Sequence, residues 1–120
     1  MSFSVSTRTV RNVVIVDLSG RVTVGESVRL LRETIDCFAD QGITGFILNL
    51  EDADYIDSCG LGEIVATYIS VCKRGGRIRL LKPSDRATRL LNTTRLSTVF
   101  SIFNDEETAI RSLTTKVASQ

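Results

Sequence analysis

Histidine is absent from the chain, and its absence excludes several kinds of active site. A Ser-His-Asp triad, a Cys-His pair and a histidine metal ligand all need an imidazole. A serine here lacks its usual general base and is a better candidate for the substrate of a kinase, which brings its own base. The sequence therefore predicts a protein that is not an enzyme, with no catalytic residue, metal site or cofactor.

Cysteines and long apolar runs are also few. Three cysteines without paired spacing argue against a disulfide framework, and Cys37 and Cys72 fall at core-facing positions of predicted helices, where we expect them reduced and buried.

No apolar run approaches the roughly 20 residues of a membrane span, and the first residues alternate like a strand rather than a signal peptide. We expect a cytoplasmic protein with one domain over residues 1–120.

The spacing of apolar residues predicts an α/β fold. A hairpin turn at Arg11-Asn12 leads into a buried strand over Val13–Val16, and a helix that stops near Gln41-Gly42 separates it from a second buried strand at Phe46–Leu48. A second helix from Leu61 precedes a third such strand. Strands joined by helices are parallel, so we expect a mixed, mostly parallel sheet with an N-terminal hairpin and about four helices.

The last third of the chain shows weaker signals. Pro83-Ser84 precedes a short amphipathic helix, and the apolar residues from Leu96 to Ile102 predict a short last strand. A final helix is predicted to begin with a capping box, with Asn104 at the N-cap and Glu107 three residues later.

The segment Asp57-Ser58-Cys59-Gly60-Leu61-Gly62 places one serine hydroxyl at the mouth of the second helix. Unpaired N–H groups and the helix dipole favour negative charge there, so the position could carry a phosphate. Capping alone would explain Asp57 or Ser58. It does not explain Gly60 and Gly62, which each cost about 1 kcal/mol relative to alanine in a helix. We expect these glycines to let another molecule approach the backbone closely.

Two strand-to-helix loops should flank this serine. Partners of a parallel sheet meet the carboxyl ends of its strands, where the loops Gly20–Gly25 and Glu51–Asp57 are predicted to open with Ser58 between them. The second loop is acidic, whereas the segment Lys73–Arg95 is strongly basic. The basic residues alternate with apolar ones as on a solvated strand face, and a docking patch for an acidic partner is the second interpretation.

Several motifs together resemble those of the STAS-domain anti-sigma factor antagonists of bacteria, and the resemblance spans nearly the whole chain. The matching residues are Leu18-Ser19-Gly20-Arg21-Val22, Ile47-Leu48-Asn49-Leu50, Ile56-Asp57-Ser58-Cys59-Gly60-Leu61-Gly62, Gly75-Gly76, Pro83-Ser84, and Leu96 with Phe100.

The resemblance implies a partner-switching cycle with phosphorylation at Ser58. The dephosphorylated protein would bind an anti-sigma factor with a histidine-kinase-like ATP-binding fold and release a sigma factor. That anti-sigma factor would phosphorylate Ser58 with Mg-ATP, and a metal-dependent serine phosphatase would reverse the reaction. The partner-binding residues implied in this way are Gly20, Arg21, Thr23, Asp57, Cys59, Gly60, Leu61 and Gly62.

Two residues depart from the family pattern. Thr23 stands where many relatives have aspartate, and its hydroxyl can still donate and accept hydrogen bonds. Cys59 stands where many have serine or threonine. A thiol at a helix N-terminus permits a redox-sensing hypothesis, which the neighbouring acidic residues oppose.

Other classes of protein remain open at this stage. A receiver domain is disfavoured because Asn49, not an aspartate, holds the strand-end position. A STAS scaffold subunit or transporter-accessory module would bind partners without a phosphorylation cycle. A nucleotide-binding STAS domain would use Arg21 or the basic segment, but the chain has neither a P-loop nor a dinucleotide fingerprint.

Overall fold

The computed structural model describes residues 3–23 and 25–114. Within these residues, strands and helices follow one another in an α/β order. The strands are β1 (Phe3–Val10), β2 (Val13–Val22), β3 (Gly45–Ile56), β4 (Arg77–Leu81) and β5 (Ser101–Phe103). The α-helices are α1 (Glu26–Asp40), α2 (Ser58–Lys73), α3 (Asp85–Thr93) and α4 (Glu106–Thr114), and Leu96–Thr98 form a short 3₁₀ helix.

The five strands form one sheet in chain order, β1-β2-β3-β4-β5. The first two are antiparallel and the remaining neighbours are parallel. Arg11 and Asn12 both have positive φ, 51° and 67°, as the two central residues of a tight hairpin turn require. The predicted hairpin and mostly parallel sheet are confirmed.

Helices cover both faces of the sheet. One core contains Val14, Val16 and Leu18 of β2 and the buried residues of α1, α2 and α3. The alternate residues Val13 and Ile15 face the other way and pack with α4. Because successive side chains of a strand point to opposite faces, the continuous apolar run of β2 fills both cores.

The predicted loops on either side of the serine are largely strand. β2 continues to Val22 and β3 to Ile56, and the two stay paired to their ends through two register shifts. Leu50, Ala53 and Ile56 are buried, and the acidic residues among them are exposed, namely Glu51, Asp52 and Asp54. The buried positions of this segment recur at every third residue and not at every second, because the pairing of β2 with β3 shifts register twice here. The segment therefore carried no strand alternation, and the prediction of a loop over Glu51–Asp57 was wrong.

Three further expectations need correction. The last strand begins only at Ser101, because the chain turns through Arg95 in the left-handed region and forms the 3₁₀ helix first. The cap of α4 is Asp105, whose carboxylate accepts the N–H of Thr108 at 2.9 Å, and not Asn104. Cys37 and Cys72 are exposed rather than buried, since the buried stripes of their helices lie at other positions.

Candidate functional site

Ser58 is the first residue of α2 and is exposed. Asp57 before it has extended backbone angles and acts as the N-cap, its carboxylate accepting the N–H of Gly60 at 2.8 Å. The Asp57 carbonyl accepts the first helical hydrogen bond, from Leu61, at 2.9 Å. Capping thus falls to Asp57, and no residue among those described holds the Ser58 hydroxyl by a hydrogen bond. The hydroxyl is available to another molecule.

Gly60 joins the start of α2 to the end of β2. A Cβ added to Gly60 would lie 2.0 Å from the carbonyl oxygen of Val22, and the same oxygen accepts the N–H of Asp57 at 3.4 Å. The helix therefore approaches the strand as closely as a bare backbone allows. The expectation that Gly60 keeps space free for a partner was wrong, because this glycine is buried against its own sheet.

Gly62 differs from Gly60 in its surroundings. It is exposed, and a Cβ added there would meet nothing within 4 Å. No internal packing requires the absence of a side chain at this position. Gly62 leaves a bare patch on the outer face of α2, one turn after Ser58.

The ends of β2 and β3 bring the predicted segments together. Arg21 pairs with Tyr55 and Val22 with Ile56 in the parallel register. Beyond β2, the Thr23 N–H donates to the Ser27 hydroxyl at 2.9 Å, and that hydroxyl donates to the Thr23 carbonyl at 2.5 Å. The segment Gly20–Thr23 thus lies fixed beside the first turn of α2.

The eight residues implied by the resemblance are not equally accessible. Leu61 is only 6% exposed and belongs to the core, and Gly20 and Gly60 are also buried. Arg21, Cys59 and Gly62 are exposed, while Thr23 and Asp57 are half-buried. The buried residues support the backbone beneath the implied partner-binding surface, and the accessible residues lie on that surface together with Ser58.

An open groove of about 730 Å³ lies on one side of Ser58. Its lining includes Tyr55, Asp57 and Ser58 together with Arg86 and Arg89 of α3. The guanidinium carbons of Arg21 and Arg86 lie 4.4 and 4.6 Å from the centroid of the Tyr55 ring. Sequence reasoning missed this groove, because the pairing register and the position of α3 that assemble it cannot be read from local patterns.

The basic segment does not form a single patch. Arg74 pairs with Asp40, and Lys82 lies 3.5 Å from Glu51. Arg79 is half-buried, and its Nε donates to the Ser112 hydroxyl at 3.0 Å. Burial, reinforced by the nearby charge of Arg77, lowers the pKa of Arg79. The prediction of one solvated strand face therefore holds for Arg77 but not for Arg79.

Within residues 3–23 and 25–114, no group of three or more Cys, Asp and Glu side chains is arranged to hold a metal ion. None of the helices described is long and apolar enough to cross a membrane.

Comparison with known proteins identifies the family. Residues 4–109 match the STAS domain, and the chain belongs to the STAS family. It is 32% identical over 111 residues to the anti-sigma-B factor antagonist of Bacillus subtilis strain 168, covering 92% of this chain and 100% of that relative. The resemblance stated from the sequence motifs is confirmed.

Two solved structures of one relative are also similar. The anti-sigma factor antagonist SpoIIAA in its unphosphorylated form has a TM-score of 0.76 and 25% identity, covering 92% of this chain and 95% of that one. The phosphorylated form of the Bacillus cell fate determinant SpoIIAA has a TM-score of 0.71 and 26% identity, covering 92% and 98%. The relative thus keeps this fold in both states.

Proposed function

We propose that this protein is an anti-sigma factor antagonist whose binding to its anti-sigma factor is reversed by phosphorylation of Ser58. The observation that supports this most directly is the exposed Ser58 hydroxyl at the start of α2, with capping supplied by Asp57. The similarity to antagonists, one of which has been solved in a phosphorylated form, agrees with it.

The proposed cycle needs no catalytic group from this chain. The dephosphorylated protein binds an anti-sigma factor of histidine-kinase-like ATP-binding fold, and a sigma factor is released. The anti-sigma factor transfers a phosphoryl group from Mg-ATP to the Ser58 oxygen, and a serine phosphatase removes it. The kinase supplies the base that takes the hydroxyl proton. This protein supplies the hydroxyl and the surface around it, in the cytoplasm.

The binding surface we propose combines the end of β2 with the first turns of α2. Arg21 and Thr23 come from the end of β2 and the residue after it, and Cys59 and Gly62 come from the first turns of α2. The bare backbone at Gly62 lets a partner helix or loop approach α2 closely. Because β2 and α2 are locked together at Gly60, the surface is formed before the partner arrives, which lowers the entropy cost of binding.

Phosphorylation would oppose binding through a local conflict. A phosphate adds about 1.5 to 2 negative charges at neutral pH. Ser58 is exposed, so the isolated domain keeps this charge hydrated and does not have to refold. In a closed interface the same charge would lose its water against a partner surface that holds no counter-charge for it, which is strongly unfavourable.

The test is a capture experiment from a lysate of the source organism, with four baits. Wild type and Ser58→Ala are expected to retain a histidine-kinase-like anti-sigma factor, and Ser58→Glu is expected to lose it. Ser6→Glu adds the same charge at an exposed position of β1 and should bind as wild type does. Capture of the same partners by the Ser58→Glu bait would indicate a scaffold without a phosphorylation switch.

A second variant tests the position of the interface. Gly62→Arg places a long side chain in open space on α2, so it should fold normally and fail to capture the partner. Normal capture by the folded variant would place the interface elsewhere.

A further inference from the structure

The groove beside Ser58 contains arginines whose charge is not neutralised. Arg86 and Arg89 are three residues apart on α3, so their side chains lie on the same side of the helix. Both line the groove that Ser58 also lines. Arg86 is held over the Tyr55 ring by a cation–π contact, which fixes one of the two charges in place.

Three other surface arginines show the alternative arrangement, in which acidic neighbours neutralise the charge. Arg8, Arg29 and Arg74 each lie within ion-pair distance of two carboxylates. In the part of the chain that the structure describes, neither Arg86 nor Arg89 has a carboxylate within 4.0 Å. Their positive charges face a groove, not an acidic neighbour.

The one acidic residue in the groove lining already has a role. The Asp57 carboxylate accepts the Gly60 N–H and occupies the mouth of α2. A phosphate on Ser58 would be repelled by this carboxylate and would find part of the helix mouth taken. The counter-charges that line the groove are the two guanidinium groups of α3. The Arg21 guanidinium lies over the same Tyr55 ring but is not part of the groove lining.

We propose that this groove is the intramolecular receptor for the phosphate of Ser58. The guanidinium groups of Arg86 and Arg89 donate hydrogen bonds to the phosphate oxygens, a geometry for which the planar arginine fork is well suited. Phosphorylation then links the start of α2 to α3 and occupies charges that are open in the dephosphorylated protein. The proposal rests on Ser58 being the modified residue, as in the proposed function, but it involves no partner.

The test uses protein made with phosphoserine at position 58 by genetic encoding, so that no kinase is needed. A ³¹P NMR titration measures the second pKa of the phosphate, which is about 6 in an unperturbed phosphoserine. Two nearby guanidinium groups favour the dianion and are expected to lower it to about 5. A second phosphate pKa of about 6 in the wild-type phosphoprotein would overturn the proposal, irrespective of the results for the variants.

Variants identify the groups responsible. Arg86→Gln/Arg89→Gln should restore the ordinary pKa of about 6. The control Lys73→Gln/Arg77→Gln also removes two exposed positive charges, outside the groove, and should leave the lowered pKa unchanged. Equal values in the α3 double variant and the control would overturn the assignment to α3. A value that changes with protein concentration would mean that the groove of a second molecule is used, which also overturns it.

These outcomes are independent of the capture experiment. A lowered phosphate pKa with no switch in partner binding would leave the receptor standing and remove the proposed function. Loss of partner binding on phosphorylation, together with an unshifted phosphate pKa, would support the proposed function and overturn the phosphate receptor.

Discussion

Gly60 and Gly62 lie two residues apart in α2 but in different surroundings, so Gly60→Ala and Gly62→Ala should change the free energy of unfolding in opposite directions. A Cβ at Gly60 would stand 2.0 Å from the Val22 carbonyl oxygen, while real Cβ contacts essentially never fall below 3.0 Å. The backbone of α2 or β2 must therefore move by about 1 Å, the difference between these distances. Overpacking of this kind costs about 1–3 kcal/mol, and the rigid backbone on both sides favours the upper end.

The substitution at Gly62 has no such cost. Its Cβ would meet nothing within 4 Å, and alanine is favoured over glycine in a helix by up to about 1 kcal/mol. The free energies of unfolding of the two variants should therefore differ by about 3–4 kcal/mol, with wild type between them. Urea denaturation followed by circular dichroism measures this difference. Equal stability of Gly60→Ala and wild type would refute the close approach of α2 to β2.

Two further predictions concern charged residues. Arg32→Ala should lower the urea midpoint, because Glu63 is only 7% exposed and would lose the guanidinium that binds both of its carboxylate oxygens. The control Arg29→Ala lies on the same helix and breaks only exposed ion pairs, so it should change the urea midpoint little. Equal shifts of the urea midpoint in Arg32→Ala and Arg29→Ala would contradict the importance of the Arg32–Glu63 ion pair. Asp17→Asn should be destabilising at neutral pH, because the hydrogen bond from Arg8 holds the pKa of Asp17 below its usual value. A lowered carboxyl pKa stabilises the fold above about pH 4 and loses its contribution as the pH falls, so the difference from wild type should shrink at pH 3. A difference independent of pH would contradict it.

The mostly parallel sheet and its N-terminal hairpin were predictable because the signals are local and strong. The run Val13–Val16 is continuous and apolar, which marks a strand buried on both faces, and the helices between strands force parallel pairing. The hairpin at Arg11-Asn12 could be predicted from one alternating segment, one turn and the continuous apolar run that follows it. These features depend on neighbours in the chain.

The errors arose where distant contacts decide the conformation. The acidic stretch after Leu50 forms a strand because β2 pairs with it to the end, although its charges suggested a loop. The buried state of Gly60 depends on the Val22 carbonyl, more than thirty residues earlier in the chain. The groove at Tyr55 is assembled by the register of β3 and the position of α3, so no local sequence pattern predicts it.

The central claim is that the phosphorylation state of Ser58 controls partner binding. The most direct test is a calorimetric titration of the captured anti-sigma factor with wild-type protein and with protein that carries phosphoserine at position 58. The account predicts that phosphorylation weakens binding by more than about tenfold, equivalent to about 1.4 kcal/mol. Equal affinity of the two forms would contradict it.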